Sequence, residues 1–83
     1  MGGSVRLVFL GRLADQCGAG ELVLQLSGIS TLEDILLGLP APLAEPLADP
    51  RVKLALNGML VPREGLVVDA GDELAFLPPV SGG

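Results

Sequence analysis

Hydrophobic positions dominate residues 5–10, and an apolar run of this length predicts a β-strand whose side chains alternate between two faces. Leu7 and Phe9 would lie on one face of the strand, with Val8 and Leu10 on the other. A second alternating run, residues 21–27, predicts a strand that pairs with the first as a hairpin. The connection is long, and residues 11–18 would hold a short helical turn. The buried face of the second strand would carry Leu22, Leu24 and Leu26.

A helix is predicted after Ser30, because Ser30 and Glu33 have the spacing of a capping box. Each side chain would accept a hydrogen bond from the other residue's backbone amide. The helix would run to about Leu37, where Gly38 and Pro40 would end it. Its inner face would carry Leu32, Ile35, Leu36 and Leu39.

Prolines and glycines organise the rest of the chain. The prolines of residues 40–50 predict an irregular segment with at most one helical turn, at residues 43–48. Asn57 and Gly58 predict a type I′ hairpin between residues 52–56 and 59–61. A turn at 69–72 leads into a strand at 73–77. That strand would end at Pro78 and Pro79, since neither residue can donate to a strand ladder.

The predicted order of elements is strand, strand, helix and then several short strands. One main helix packed on a mixed sheet of this size is a β-grasp arrangement, so the predicted fold class is α+β. We expect residues 1–77 to form this domain and residues 78–83 to form a flexible, extended tail.

Composition and charge narrow the range of partners. Ten acidic residues against five basic ones give a net charge of −5, which disfavours nucleic acid as a partner. The chain has no apolar run near the roughly 18 residues of a membrane span. We therefore expect a cytoplasmic protein that binds neither nucleic acid nor membrane.

The side chains offer little catalytic chemistry. The chain has no histidine, which excludes Ser-His and Cys-His nucleophile pairs within it. Clustered Cys and His metal ligands are also absent, and we expect no metal or cofactor bound by this chain. Asp69, Asp72 and Glu73 flank a glycine turn and are interpreted as turn residues. Cys17 is interpreted as a small, partly buried apolar residue.

The last residues differ from the rest of the chain. Two prolines favour an extended direction, and Gly82 and Gly83 carry no side-chain bulk, so a narrow channel in another protein could admit them. Six extended residues reach about 20 Å. The carboxylate of Gly83 is then the candidate reactive group. The residues expected to insert with it are Pro78, Pro79, Val80, Ser81 and Gly82.

Residues 71–83, GDELAFLPPVSGG, closely resemble the C-terminus of the MoaD family, the small sulfur-carrier subunit of molybdopterin synthase. This family is part of the MoaD/ThiS ubiquitin-like superfamily. The strand at 5–10, the helix at 30–37 and the hairpin at 54–58 also fall in the order expected of it.

The resemblance implies a function for the tail. A MoeB-like activating enzyme would use ATP and magnesium to adenylate Gly83, and sulfur would then replace AMP to give a thiocarboxylate. The tail would insert into a MoaE-like large subunit, where the sulfur passes to a pterin precursor of molybdopterin. The family forms heterotetramers of two small and two large subunits. The catalytic groups belong to the partners, so the chain would not be an enzyme by itself.

The resemblance also implies an apolar docking patch, at the positions of Leu10, Leu60 and Leu77. Alternation agrees for two of these positions. If Phe9 and Phe76 face the helix, then Leu10 and Leu77 face outward.

Three other functions remain open. A related carrier would donate sulfur for thiamin, tRNA thiolation or amino-acid biosynthesis, with the same chemistry at Gly83. A ubiquitin-like modifier would instead be joined to lysines of target proteins. A β-grasp interaction module would carry its terminal glycines without using them.

Overall fold

The computed structural model describes residues 3–79 and shows a mixed sheet covered on one side by helices. The strands are β1 (Gly3–Phe9), β2 (Glu21–Leu26), β3 (Ser30–Thr31), β4 (Lys53–Leu56), β5 (Met59–Val61), β6 (Val67–Val68) and β7 (Glu73–Leu77). The helices are α1 (Arg12–Cys17), α2 (Leu32–Leu37) and α3 (Ala41–Leu47).

The main sheet has five strands in the order β2-β1-β7-β4-β5. The central pair, β1 and β7, is parallel, while the other pairs are antiparallel. Strands β3 and β6 form a separate two-stranded sheet. The first and last strands of the fold are thus central neighbours, and the predicted α+β, β-grasp class is confirmed.

The core lies between the main sheet and the helices. Leu7 and Phe9 of β1 face it together with Leu74 and Phe76 of β7, as alternation predicts. The rings of Phe9 and Phe76 pack with centroids 5.8 Å apart. Ile35 of α2 is fully buried on the helical side. Because each strand buries every second residue, its opposite face remains available to solvent.

The long connection between β1 and β2 contains α1, which confirms the predicted helical turn. Leu13 and Cys17 of α1 are buried against the core. Leu22, Leu24 and Leu26 of β2 face inward, with Leu26 buried, as predicted.

The cap of α2 differs from the prediction. Thr31, not Ser30, accepts the hydrogen bond through Oγ1, from the backbone amide of Asp34 at 3.2 Å. Asp34, not Glu33, returns the bond by accepting from the Thr31 amide at 3.0 Å. Ser30 pairs with Val68 in the small sheet, so the chain stays extended for one residue more and the box shifts by one position. The end of the helix at Leu37, followed by Gly38, is as predicted.

The proline-rich segment is more regular than predicted, because α3 extends over seven residues. Pro42 lies in the first turn, where a helix has no use for the amide hydrogen that proline lacks. Pro46 is one residue before the last residue of the helix, Leu47, so its missing amide hydrogen interrupts few of the helix's backbone hydrogen bonds. Leu47 is fully buried, and this anchorage favours the helix despite its composition.

The hairpin between β4 and β5 confirms the Asn-Gly prediction. Asn57 has φ of 50° and Gly58 has φ of 88°, the two positive values that a type I′ turn requires. Asn57 also connects this turn to β7. Its backbone amide donates to the Glu73 carbonyl at 2.8 Å, and its side-chain Oδ1 accepts from the Glu73 backbone amide at 2.9 Å. Among residues 3–79, no helix is long and apolar enough to cross a membrane.

Candidate functional site

The candidate site is where β7 leaves the sheet. Leu77 is the last residue of the strand, and Pro78 and Pro79 follow it in a half-buried position. The predicted reactive residue, Gly83, and the predicted inserting residues 80–82 lie outside the described residues. The division between residues 1–77 and the tail therefore stays a prediction.

The turn that follows β1 contacts the base of the tail. The amide of Leu10 donates to the Phe76 carbonyl at 3.0 Å, which extends the β1–β7 pairing to the end of β7. Gly11 has φ of 55°, and a Cβ atom there would lie 3.1 Å from Cγ of Pro78. A glycine is favoured at this position both by its backbone conformation and by the space that Pro78 occupies.

Arg12 completes this contact. Its guanidinium Nη2 donates to the backbone carbonyl of Pro79 at 3.2 Å. Sequence reasoning did not assign Arg12 to the tail. The two residues are 67 positions apart, and only the parallel pairing of β1 with β7 brings them together.

An apolar row crosses the outer face of the sheet beside the tail. Val8 pairs with Ala75, Ala75 pairs with Ala55, and Ala55 pairs with Leu60, so the row spans β1, β7, β4 and β5. Residues that lie opposite each other in neighbouring strands share a face. The side chains of the two alanines project little from the sheet in the middle of the row. Leu60, at the edge of the row, is 72% exposed.

The predicted docking residues adjoin this row. Leu77 is two residues beyond Ala75 and half-buried, and Leu10 is 42% exposed just after β1. We define the outer apolar surface as Val8, Leu10, Ala55, Leu60, Ala75 and Leu77. Alternation already indicated an outward Val8, whereas Ala55 and Ala75 join the surface only through the register of three strands. Leu10 and Leu60 are its exposed members, and exposed apolar side chains grouped on one face are typical of a protein interface.

Charged residues also lie on the outer face, at both ends of β7. Arg6 pairs with Glu21 at 2.9 Å and with Glu73 at 3.7 Å. These side chains are about half exposed, so the pairs add little stability. At the other end of β7, the exposed Lys53 is the register partner of Leu77, so the apolar row lies between charged residues.

The carboxylates before β7 act in a turn, as the sequence indicated. Asp72 accepts hydrogen bonds from the Asp69 amide at 2.9 Å and from Asn57 Nδ2 at 3.1 Å. These bonds, the backbone one foremost, hold the pKa of Asp72 below its usual value. Within residues 3–79, no group of three or more metal-ligating His, Cys, Asp or Glu side chains is found.

Cys17 is a buried residue of α1, in agreement with its interpretation as part of the apolar interior. Burial raises the pKa of its thiol, which disfavours the reactive thiolate. The features of the described residues that suit binding are thus the outer apolar surface and the contacts of Gly11 and Arg12 with the base of the tail.

Several solved structures share this fold over nearly their whole length. SAMP1 from Haloferax volcanii is 29% identical, with a TM-score of 0.73 over 98% of this chain and 100% of that one. The small archaeal modifier protein 1 (SAMP1) from Methanosarcina acetivorans is 26% identical, with a TM-score of 0.71, 100% of this chain and 99% of that one.

A third structure comes from a complex of subunits 1 and 2 of the molybdopterin-converting factor of Helicobacter pylori. It is 23% identical, with a TM-score of 0.64 over 96% of this chain and 99% of that one, and this likeness shows the fold alone. No curated protein matches the sequence.

The family comparison covers both the domain and its tail. The model of the ThiS family matches residues 7–83, from the first core strand through the terminal glycines. The chain therefore belongs to the ThiS family, whose members are ThiS/MoaD-type ubiquitin-like sulfur carriers or modifiers.

Proposed function

We propose that this protein is the sulfur carrier of molybdenum cofactor biosynthesis, acting as the small subunit of molybdopterin synthase. The observation that carries the proposal is the family match through Gly83, on a chain whose last strand delivers the tail beside an exposed apolar surface. In this function the partners bind the folded domain, and the C-terminal carboxylate is the group that carries the sulfur.

The chemistry takes place at Gly83 in two steps. The carboxylate attacks the α-phosphate of ATP, which releases pyrophosphate and leaves an acyl-adenylate. In the second step the terminal sulfur of a donor persulfide attacks the acyl carbon and AMP departs. A thiol of the donor then cleaves the S–S bond of the resulting acyl disulfide, which leaves a thiocarboxylate on Gly83 and a disulfide on the donor. A free carboxylate is a poor electrophile, so activation is required, and glycine presents the least hindered acyl carbon. ATP and magnesium belong to a MoeB-like activating enzyme in the cytoplasm, and this chain binds no cofactor of its own.

The outer apolar surface would dock the partners in turn. We place Leu10, Leu60 and Leu77 in the contact with a MoaE-like large subunit, in a heterotetramer of two small and two large subunits. Pro78 to Gly82 would then thread into that subunit, which supplies the catalytic groups for sulfur transfer to the pterin precursor. The Helicobacter pylori structure is a complex of subunits 1 and 2, and it supports this kind of assembly.

A second candidate is a protein modifier. Its support is that the SAMP1 structures, 29% and 26% identical, are nearer in sequence than the 23% identical molybdopterin-converting factor chain. A modifier would form isopeptide bonds between Gly83 and target lysines. Carriers for thiamin, tRNA thiolation or amino-acid biosynthesis would share the thiocarboxylate and differ in the acceptor.

Intact mass spectrometry of the protein from its native cells tests the carrier chemistry. Replacement of one oxygen by sulfur adds about 16 Da, the same nominal mass as an oxidation. Alkylation of the unfolded chain distinguishes the two, because a thiocarboxylated chain takes up two alkyl groups, on the thioacid and on Cys17, whereas a chain with an oxidised methionine takes up one, on Cys17. We expect a thiocarboxylate on Gly83. Isopeptide adducts without a thiocarboxylate would favour the modifier. The absence of both products would favour a plain interaction module.

Deletion of Gly83 tests the role of the chain end. Sulfur transfer to the pterin precursor, measured with purified large subunit, should be abolished. Thermal unfolding should be unchanged, since the core is built from residues 5–76. Transfer at the wild-type rate by the shortened chain would refute the carrier function. A thiocarboxylated wild type that loses no sulfur to the pterin precursor would point to one of the other acceptors.

A further inference from the structure

The chain between β1 and the start of α1 contacts the first two residues of the tail, Pro78 and Pro79. Gly11 packs against Pro78, and Arg12 Nη2 donates to the carbonyl oxygen of Pro79 at 3.2 Å. Gly11 lies in the turn and Arg12 is the first residue of α1, and the Leu10–Phe76 hydrogen bond ties this part of the chain to the end of β7.

Backbone geometry explains why the Pro79 carbonyl matters. The rings of Pro78 and Pro79 fix φ near −65° in both residues, and Pro79 also restricts ψ of Pro78 to extended values. The first freely rotating backbone bond after β7 is therefore ψ of Pro79. The direction of the Pro79 carbonyl is set by this one angle, so a hydrogen bond to its oxygen restrains the heading of everything that follows.

The other arginines of the described chain are occupied elsewhere. Arg6 pairs with Glu21 and Glu73, Arg51 pairs with Asp49, and Arg63 donates to the carbonyls of Val52 and Leu47. Arg12 instead directs a charged donor to the tail backbone, and charge assistance strengthens such a bond. Its partner is a main-chain atom, so the contact does not depend on the side chain at the acceptor position.

We infer that Arg12 is a positioning residue that aims the C-terminal tail before a partner engages it. This inference rests on the proposed function of Gly83 as the activated chain end. By restraining ψ of Pro79, Arg12 lowers the conformational entropy that the tail loses when it threads into a partner's channel. The residue acts on the heading of the tail and takes no part in the acyl chemistry.

The test compares Arg12→Ala with Arg6→Ala, which removes the same charge from the start of the β1–β7 pairing, opposite Glu73. In the free protein, 15N relaxation and the amide shift of Val80, which follows the Pro79 carbonyl, should change in Arg12→Ala and stay unchanged in Arg6→Ala. Arg12→Lys, which keeps one charged donor, should recover part of the wild-type signal.

The functional arm measures adenylation by the activating enzyme. Arg12→Ala should raise the KM for the carrier about threefold to tenfold, as expected for the loss of one hydrogen bond, with kcat unchanged. Unchanged Val80 dynamics, an unchanged KM, or an equal rise of KM in Arg6→Ala would each overturn the inference. A fall in kcat at constant KM would also overturn it. If wild type itself is not adenylated, the proposed function fails, while the relaxation data still decide whether Arg12 restrains the tail.

Discussion

The two faces of the central strands differ in the size and in the surroundings of their side chains. On the inner face, Leu54, Leu74 and Phe76 are at most 1% exposed and pack against the helices. On the outer face of the same strands, Ala55 and Ala75 are half-buried only by their neighbours in the sheet. The outer face carries apolar residues between charged ones, and only the inner face is covered. The inner face stabilises the fold, and the outer one is left free for a partner.

The largest expected effect is on the inner face. Phe76→Ala removes a fully buried ring that contacts Phe9, and this should lower the free energy of unfolding by about 3–5 kcal/mol. A domain of this size is only marginally stable, so much of the variant should be unfolded. Urea denaturation followed by circular dichroism measures the change. The matched control, Leu60→Ala on the outer face, should cost no more than about 0.5 kcal/mol. Similar losses for the two variants would contradict the division between the faces.

An intermediate effect is expected when the outer face is charged. Leu60→Asp would bury an unpaired carboxylate in the proposed interface, and should weaken binding to the large subunit at least about tenfold. Isothermal titration calorimetry measures this affinity. The control is Leu37→Asp, since Leu37 is 84% exposed on α2 and lies off the sheet. Equal affinities of the two variants would remove Leu60 from the interface.

The smallest effect concerns the turn that precedes β7, which belongs to neither face. The folded-state pKa of Asp72 lies below its ordinary value, so its bonds to Asp69 and Asn57 favour the folded state above about pH 4. That contribution is lost as the pH falls through the folded-state pKa. The stability difference between wild type and Asp72→Ala, measured by urea denaturation from pH 7 to pH 2, should shrink towards acid. A difference that is constant with pH would show that the charge of Asp72 is unimportant.

Local patterns predicted much of the fold. Alternation identified the inward Phe9 and Phe76, and the Asn57-Gly58 pair identified the hairpin, because period and turn type depend on only a few adjacent residues. The same reasoning failed where distant contacts decide. Ser30 was assigned the cap of α2, but pairing with Val68 moved the cap to Thr31. The prolines of residues 40–50 argued against a helix, but burial of Leu47 favoured α3.

The candidate site divides in the same way. The glycines at 82 and 83, and the outward leucines at 10 and 77, could be proposed from residue type and alternation. The apolar row through Ala55 and Ala75 could not, since small residues give no signal until three strands are placed in register.

The sequence by itself determined the five strands of the main sheet, the hairpin turn and the chemical simplicity of the chain end, because each depends on residues close together along the chain. It did not predict the short strands β3 and β6, which form only through their pairing with each other. Only the tertiary structure decided that the outer apolar surface lies beside the tail and that Arg12 reaches Pro79. Both follow from the parallel pairing of the first strand with the last, a contact across almost the whole chain that no local pattern encodes.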